Sequence, residues 1–251
     1  MKIANLQRFW EIDVLRGIAI VLMAAFHVVF DLAYFSIFSV SISTGLWFYV
    51  GRFAAVMFIF LVGVSLSLRF SRSVKLKEKK SYKKYATRGL QILACGLLIT
   101  IVTWFLIPQQ FIVFGILHFI GVAILLSYPF LQLRNKNLVF GALCIALGFL
   151  VSSFTINNSW LLWLGIKPTF FASLDYVPLF PWFGVMLLGI WAGNHGYQNY
   201  QRQFHLPDLH GQFAMRILSF LGRHSLAIYL LHQPVIIFLL MLAGAHVPLL
   251  V

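Results

Sequence analysis

Four polar side chains interrupt long apolar runs in this sequence. His27 and Asp31 stand four apart in EIDVLRGIAIVLMAAFHVVFDL, Arg52 follows LWFYVG, and His118 lies in FGILHFIGVAILLS. On a helix the i, i+4 spacing puts His27 and Asp31 on one face, close enough for the carboxylate to hold the imidazole tautomer and favour its charged form. Such a pair can act as base or nucleophile with its orienting acid, as in a hydrolase dyad. The plainer alternative is a structural ion pair between Asp31 and Arg52, with each His satisfied by a nearby carbonyl or hydroxyl. A metal site built from His27, Asp31 and His118 would lack any recognised ligand spacing, and no metal is expected.

A second polar group falls elsewhere. Arg16 opens the first apolar run, Arg223 and His224 begin the string RHSLAIYLLHQPVI, and His232 follows two turns deeper. At i and i+8, His224 and His232 share a helix face. Pro234 should kink that helix and free a carbonyl near His232, a device found where membrane helices line cavities. Basic groups at an inner opening can hold phosphates. Anchoring by positive residues at the membrane edge is the alternative.

The elements that must position these groups follow from composition. Of 251 residues 61% are hydrophobic and 10% charged, and the mean hydropathy of +0.91 exceeds what a water-soluble surface can carry. Apolar runs of roughly twenty residues cross the ~30 Å hydrocarbon core as helices. The sequence predicts an all-α, polytopic membrane bundle, a single domain over residues 1–251. Seven transmembrane helices are expected, at about 12–35, 46–68, 89–107, 111–131, 138–154, 176–193 and 222–244. Trp160 to Phe171 is too short to span and should lie at the interface. At ~1.5 Å per residue, His27 and Asp31 fall roughly 22 and 28 Å along their helix. Arg52 and His118 fall about 10 Å below the outer ends of theirs, so the four groups share a depth.

Nineteen Lys and Arg oppose six Asp and Glu, a net +13 that in a soluble chain would point to nucleic acid. Here the excess is sided: seventeen of the nineteen, from Lys2, Arg8 and Arg16 through the cluster Arg69 to Arg88, fall on one face of the seven-span map. That face is expected to be cytoplasmic, with the N-terminus inside a plasma membrane. No nucleic-acid partner is expected. The run KLKEKKSYKK reads as a solvated loop with some attraction to anionic lipid headgroups. The first run lacks the short core and cleavage site of a secretory signal and reads as an uncleaved span. Cys95 and Cys144 lie inside apolar runs and support neither a disulfide framework nor a thiolate metal site.

The string EIDVLRGIAIVLMAAFHVVFDL resembles the opening helix of the heparan-alpha-glucosaminide N-acetyltransferase catalytic-domain family in its small prokaryotic form. So do FGILHFIGVAILLS, the block DYVPLFPWFGVMLLGIWAG with Trp182, and GRHSLAIYLLHQP. These pieces occur in the family's order from about Arg8 to Pro234. The resemblance implies a membrane enzyme that takes an acyl group, usually acetyl, from cytoplasmic acetyl-CoA or another acyl-CoA. The group passes to a glycan or related small acceptor of the cell envelope. On that reading His27 deprotonates the acceptor or carries the acyl group, with Asp31 orienting it. Arg52, His118 and Trp182 bind the acceptor or support the site, while Arg16, Arg223, His224 and His232 engage the acyl-CoA. The family's lysosomal enzyme carries its proposed reactive histidine in the loop after the first span. The matching loop here, YFSIFSVSISTG, holds no His. The same intramembrane residues could serve a polar-solute transporter or a non-catalytic scaffold, and a homo-oligomer is compatible with either.

Overall fold

The computed structural model describes residues 8–79 and 81–245. Lys2 and Lys80, which contribute to the basic asymmetry, lie outside the described residues. Eight α-helices follow one another: α1 (Trp10–Tyr34), α2 (Gly45–Lys75), α3 (Tyr82–Leu106), α4 (Ile116–Ser127), α5 (Lys136–Ser152), α6 (Leu179–Gly196), α7 (Phe213–Arg223) and α8 (Ser225–Leu242). Short 3-10 turns fill Tyr128–Gln132, Ser159–Leu164 and Gln198–Tyr200. Isolated bridges join Phe114 to Tyr176 and Thr155 to Lys167.

The all-helical outcome follows from backbone hydrogen bonding, which in lipid must close within each segment. Local signals set several ends. Glu11 and Asp13 sit in the first turn of α1, where a helix N-terminus favours negative charge. Helix α3 stops at Ile107, the residue before Pro108, because that position disfavours the helical region. Four helices, α1, α2, α3 and α8, are long and apolar enough to cross a membrane. Helix α5 is apolar but shorter. Helix α4, with 12 residues, reaches only roughly 18 Å, less than the ~30 Å core, before the 3-10 turn extends it. The segment expected at the interface forms the turn Ser159–Leu164 with Trp160 exposed.

The expected span 222–244 is supplied by α8, and its first residues belong to the end of α7 and the break after it. The chain passes from the amphipathic α7, which carries Arg216 and Arg223, to the apolar α8, and it breaks at His224. His224 therefore stands at a junction, and its Nδ1 donates back to the Phe220 carbonyl of α7 at 2.9 Å. The shared face expected for His224 and His232 required a single helix through both.

The described chain forms two compact units, one of residues up to Leu61 and from His205 onward, the other Val62–Phe204. In the first, α1 packs against α7 backbone to backbone. A Cβ on Gly222 would strike the Asp13 carbonyl, and one on Gly17 the Leu218 carbonyl; small residues permit this approach, which in membrane helices replaces hydrophobic drive. Ile12, Ala19, Ile20 and Ile59 are buried there. In the second unit α3 packs on α4 and α5 on α6, around Phe119, Leu131, Met186, Leu187 and Ile190.

Candidate functional site

The first unit gathers four polar side chains from two helices. From α1 come His27 and Asp31, and from α8 His232 and Gln233. The imidazoles of His27 and His232 meet edge to face with centroids 4.7 Å apart. His27 Nδ1 donates to the Met23 carbonyl at 2.8 Å, and His232 Nδ1 donates to the Tyr229 carbonyl at 2.6 Å. A carbonyl can only accept, so in each neutral ring Nδ1 carries the proton and Nε2 holds the lone pair. The His232 Nε2 is buried without a hydrogen-bond partner.

Asp31 is 2% exposed. Its Oδ1 accepts from Gln233 Nε2 at 3.0 Å, while Oδ2 and Gln233 Oε1 are buried without hydrogen-bond partners. This corrects the role expected for Asp31: the helix's own carbonyl four residues back, that of Met23, fixes the His27 tautomer. Asp31 is paired across to α8 instead. His232 also changes group. It was expected beside the inner cations, and the structure sets it against His27. Arg52, on α2, lies with its guanidinium 5.4 Å from the Phe48 ring centroid.

Near the start of α1 the same unit holds an ionic triad. Buried Asp13 accepts from Arg8 Nε at 2.6 Å and from Arg16 Nη1 at 2.9 Å. Two guanidiniums on one carboxylate leave one net positive charge. Arg16, expected to engage the acyl-CoA, is thus engaged in a structural pairing that secures a buried acid. Gly222 presses on the Asp13 carbonyl, which brings exposed Arg223 and His224, the next two residues, to the same end of α1.

In the second unit His118, 3% exposed, closes a hydrogen-bond chain of fixed direction. The Gly115 N–H donates to His118 Nδ1 at 3.2 Å. Nε2 therefore carries the proton and faces Thr100 Oγ1 at 3.1 Å, and Thr100 donates to the Ile112 carbonyl at 2.6 Å. Every member is satisfied, so His118 ties the loop after α3 to α3 itself. The adjoining Asp175 Oδ2 accepts the Ile116 N–H at 2.8 Å and so caps α4. Burial in this loop pushes the Asp175 carboxyl up to about 6, against the pull of that hydrogen bond toward the charged form. Trp182 is buried in α6.

Chemically, the first unit offers two imidazole lone pairs, a buried carboxylate one helical turn from His27 and three polar atoms without hydrogen-bond partners, the equipment for moving a proton to or from a bound hydroxyl or amine. Among the described residues no three His, Cys, Asp or Glu side chains form a group that could hold a metal ion. Gln233, Thr100 and Asp175 escaped the sequence reading, which searched the spans for ionisable groups. An uncharged amide in an apolar run was the signal that could have found Gln233.

No curated protein and no solved structure matches the chain. The family model described as heparan-alpha-glucosaminide N-acetyltransferase, catalytic, matches residues 8–234, a range that takes in both units' polar clusters. The sequence resemblance and the family match agree, and the chain belongs to the heparan-alpha-glucosaminide N-acetyltransferase catalytic family, whose name implies a membrane acetyltransferase.

Proposed function

We propose that this chain is a single transmembrane acyltransferase domain that moves an acyl group, acetyl in the family's name, from cytoplasmic acyl-CoA to a sugar or related small acceptor of the cell envelope. In the same reading it passes the plasma membrane seven times, with its N-terminus and basic loops inside. One observation carries the proposal: the imidazoles of His27 and His232 meet edge to face, each with Nδ1 committed to a carbonyl and Nε2 holding a lone pair, while Asp31, one turn on from His27 in α1, keeps Oδ2 buried without a hydrogen-bond partner.

His27 Nε2 takes the proton of the acceptor hydroxyl or amine as that atom attacks the thioester carbonyl. The carbon–sulfur bond breaks, and the CoA thiolate leaves and takes the proton back from the imidazolium. Each proton is returned, so no further reactant is needed. Asp31, held by Gln233, supports the positive charge that His27 or His232 carries in passing. Arg16, Arg223 and His224 receive the acidic end of the acyl-CoA, and Arg52 supports the acceptor side.

Purified protein incubated with radiolabelled acetyl-CoA and isolated envelope glycans should move label to glycan. Absence of both transfer and CoA binding would sink the proposal. His27→Ala should abolish transfer in a protein that still inserts and melts cooperatively, and full activity in that variant removes His27 from the mechanism.

A further inference from the structure

The turn joining α2 to α3, within the second unit, lines a partly open cavity of about 170 Å3 that holds none of the residues placed in the acyl-transfer step. Arg69 and Arg72 come from the last turns of α2, Lys79 from the turn, and Lys84 and Tyr85 from the first turn of α3. Four cations thus face a single acid, Glu78. That acid is engaged, since Lys84 Nζ donates to Glu78 Oε2 at 2.7 Å. The guanidinium of Arg69 lies over the Tyr85 ring, 5.4 Å from its centroid, which fixes its plane while leaving its N–H edges for a ligand.

Tyr85 supplies an independent sign. It is 4% exposed, Tyr128 packs against its ring at 5.3 Å between centroids, and its hydroxyl is buried without a hydrogen-bond partner. A buried O–H with no acceptor costs stability until an acceptor arrives. Beside the ring-stacked guanidinium of Arg69, that of Arg72 and the lysine ammoniums, the acceptor that satisfies all of them presents several charged oxygens in different directions. The space is roughly ten times what a single water molecule needs, so a tetrahedral oxyanion fits.

We propose that this cavity is a binding site for a phosphate-bearing ligand, in which Arg69, Arg72 and Lys79 neutralise the phosphate, Tyr85 donates to it, and Glu78 is an internal competitor that the ligand displaces from Lys84. Two sources carry this chemistry, the headgroup of an anionic phospholipid and the nucleotide phosphates of an acyl-CoA. The site stands without the acyl-transfer reading, and only its nucleotide arm rests on it.

The test uses the full chain in neutral detergent with two probes, coenzyme A followed by equilibrium dialysis and phosphatidylglycerol followed by native mass spectrometry. Wild-type protein should bind one of them. Arg69→Gln/Arg72→Gln should weaken that binding about tenfold or more, and Tyr85→Phe by about threefold to tenfold. Glu78→Gln should tighten it, an effect that misfolding would not produce. A loss confined to coenzyme A assigns the nucleotide, and one confined to the lipid assigns the headgroup. Binding of neither probe, or equal binding of both by wild type, Tyr85→Phe and the double variant, overturns the site. If coenzyme A binds with variants unchanged, this site fails while the acyl-CoA reading survives.

Discussion

Replacing Gln233 with Leu tests whether the carboxylate of Asp31 depends on α8. The substitution keeps the shape of the side chain and removes the donor that reaches Asp31 Oδ1 at 3.0 Å. Asp31 is 2% exposed and its other oxygen already lacks a hydrogen-bond partner, so no spare bond compensates. A hydrogen bond to a charged group contributes about 1.5–3 kcal/mol. The ~0.6 kcal/mol average between membrane helices applies where the lost partner is replaced. The upper range therefore governs, and at 1.36 kcal/mol per decade transfer should fall about ten- to 150-fold, with an earlier melt in detergent. In an Asp31→Asn background, which removes the charge, Gln233→Leu should cost about 1 kcal/mol less or better. Labelled acetyl transfer and thermal melting of the four proteins close the cycle. Wild-type rate and melting in Gln233→Leu, or strictly additive losses in the double variant, refute the coupling.

Three further outcomes follow from other parts of the fold. Thr100→Val leaves the His118 Nε2 proton and the Ile112 carbonyl without their hydroxyl partner and should cost about 1–3 kcal/mol in denaturant or thermal unfolding; an unchanged midpoint contradicts the chain of bonds drawn here. The Asp175 carboxyl, raised from 3.8 to about 6 in the folded chain, binds its proton more tightly folded than unfolded, so its stabilising share is complete below about pH 4 and lost as pH rises through about 6. Asp175→Asn keeps an acceptor for the Ile116 N–H and should flatten the fall in melting temperature that wild type shows from about pH 4 to 6; equal slopes defeat the assignment. Gly222→Ala should lower the melting temperature through about 1–3 kcal/mol of overpacking, while Gly211→Ala, which meets nothing within 4 Å, should not; matching melts would refute the backbone contact.

Hydropathy made the helices legible because lipid leaves the backbone one choice. The expected span at 12–35 overlies α1 closely, and that at 46–68 lies within α2, which runs on to Lys75. Hydropathy blurred only the start of 222–244: α8 (Ser225–Leu242) is long and apolar enough to cross a membrane, while Gly222 and Arg223 end the amphipathic α7 and His224 marks the break. His27 and Asp31 were legible as polar intrusions, and their placement in one cluster was read from spacing alone. Their partners were not legible. Met23 acts through a backbone carbonyl that every residue possesses, and the pairing of Asp31 with Gln233 crosses 202 positions. His118 shows the limit of the same rule: an ionisable group at membrane depth can be a closed structural link, and only the neighbouring Thr100 and Gly115 distinguish that case from a reactive one.

The contact of Gly222 with the carbonyl of Asp13 gives an uncharged position control over a charged one. Asp13 holds two arginines at one end of α1, and the backbone that carries it is pinned by a residue with no side chain. Any substitution at 222 displaces that carbonyl before it touches a guanidinium, and the charge pattern at this end would be rewritten by steric means alone. Variation at a glycine would then be read out as altered salt dependence of ligand binding, a signature ordinarily credited to lysines and arginines.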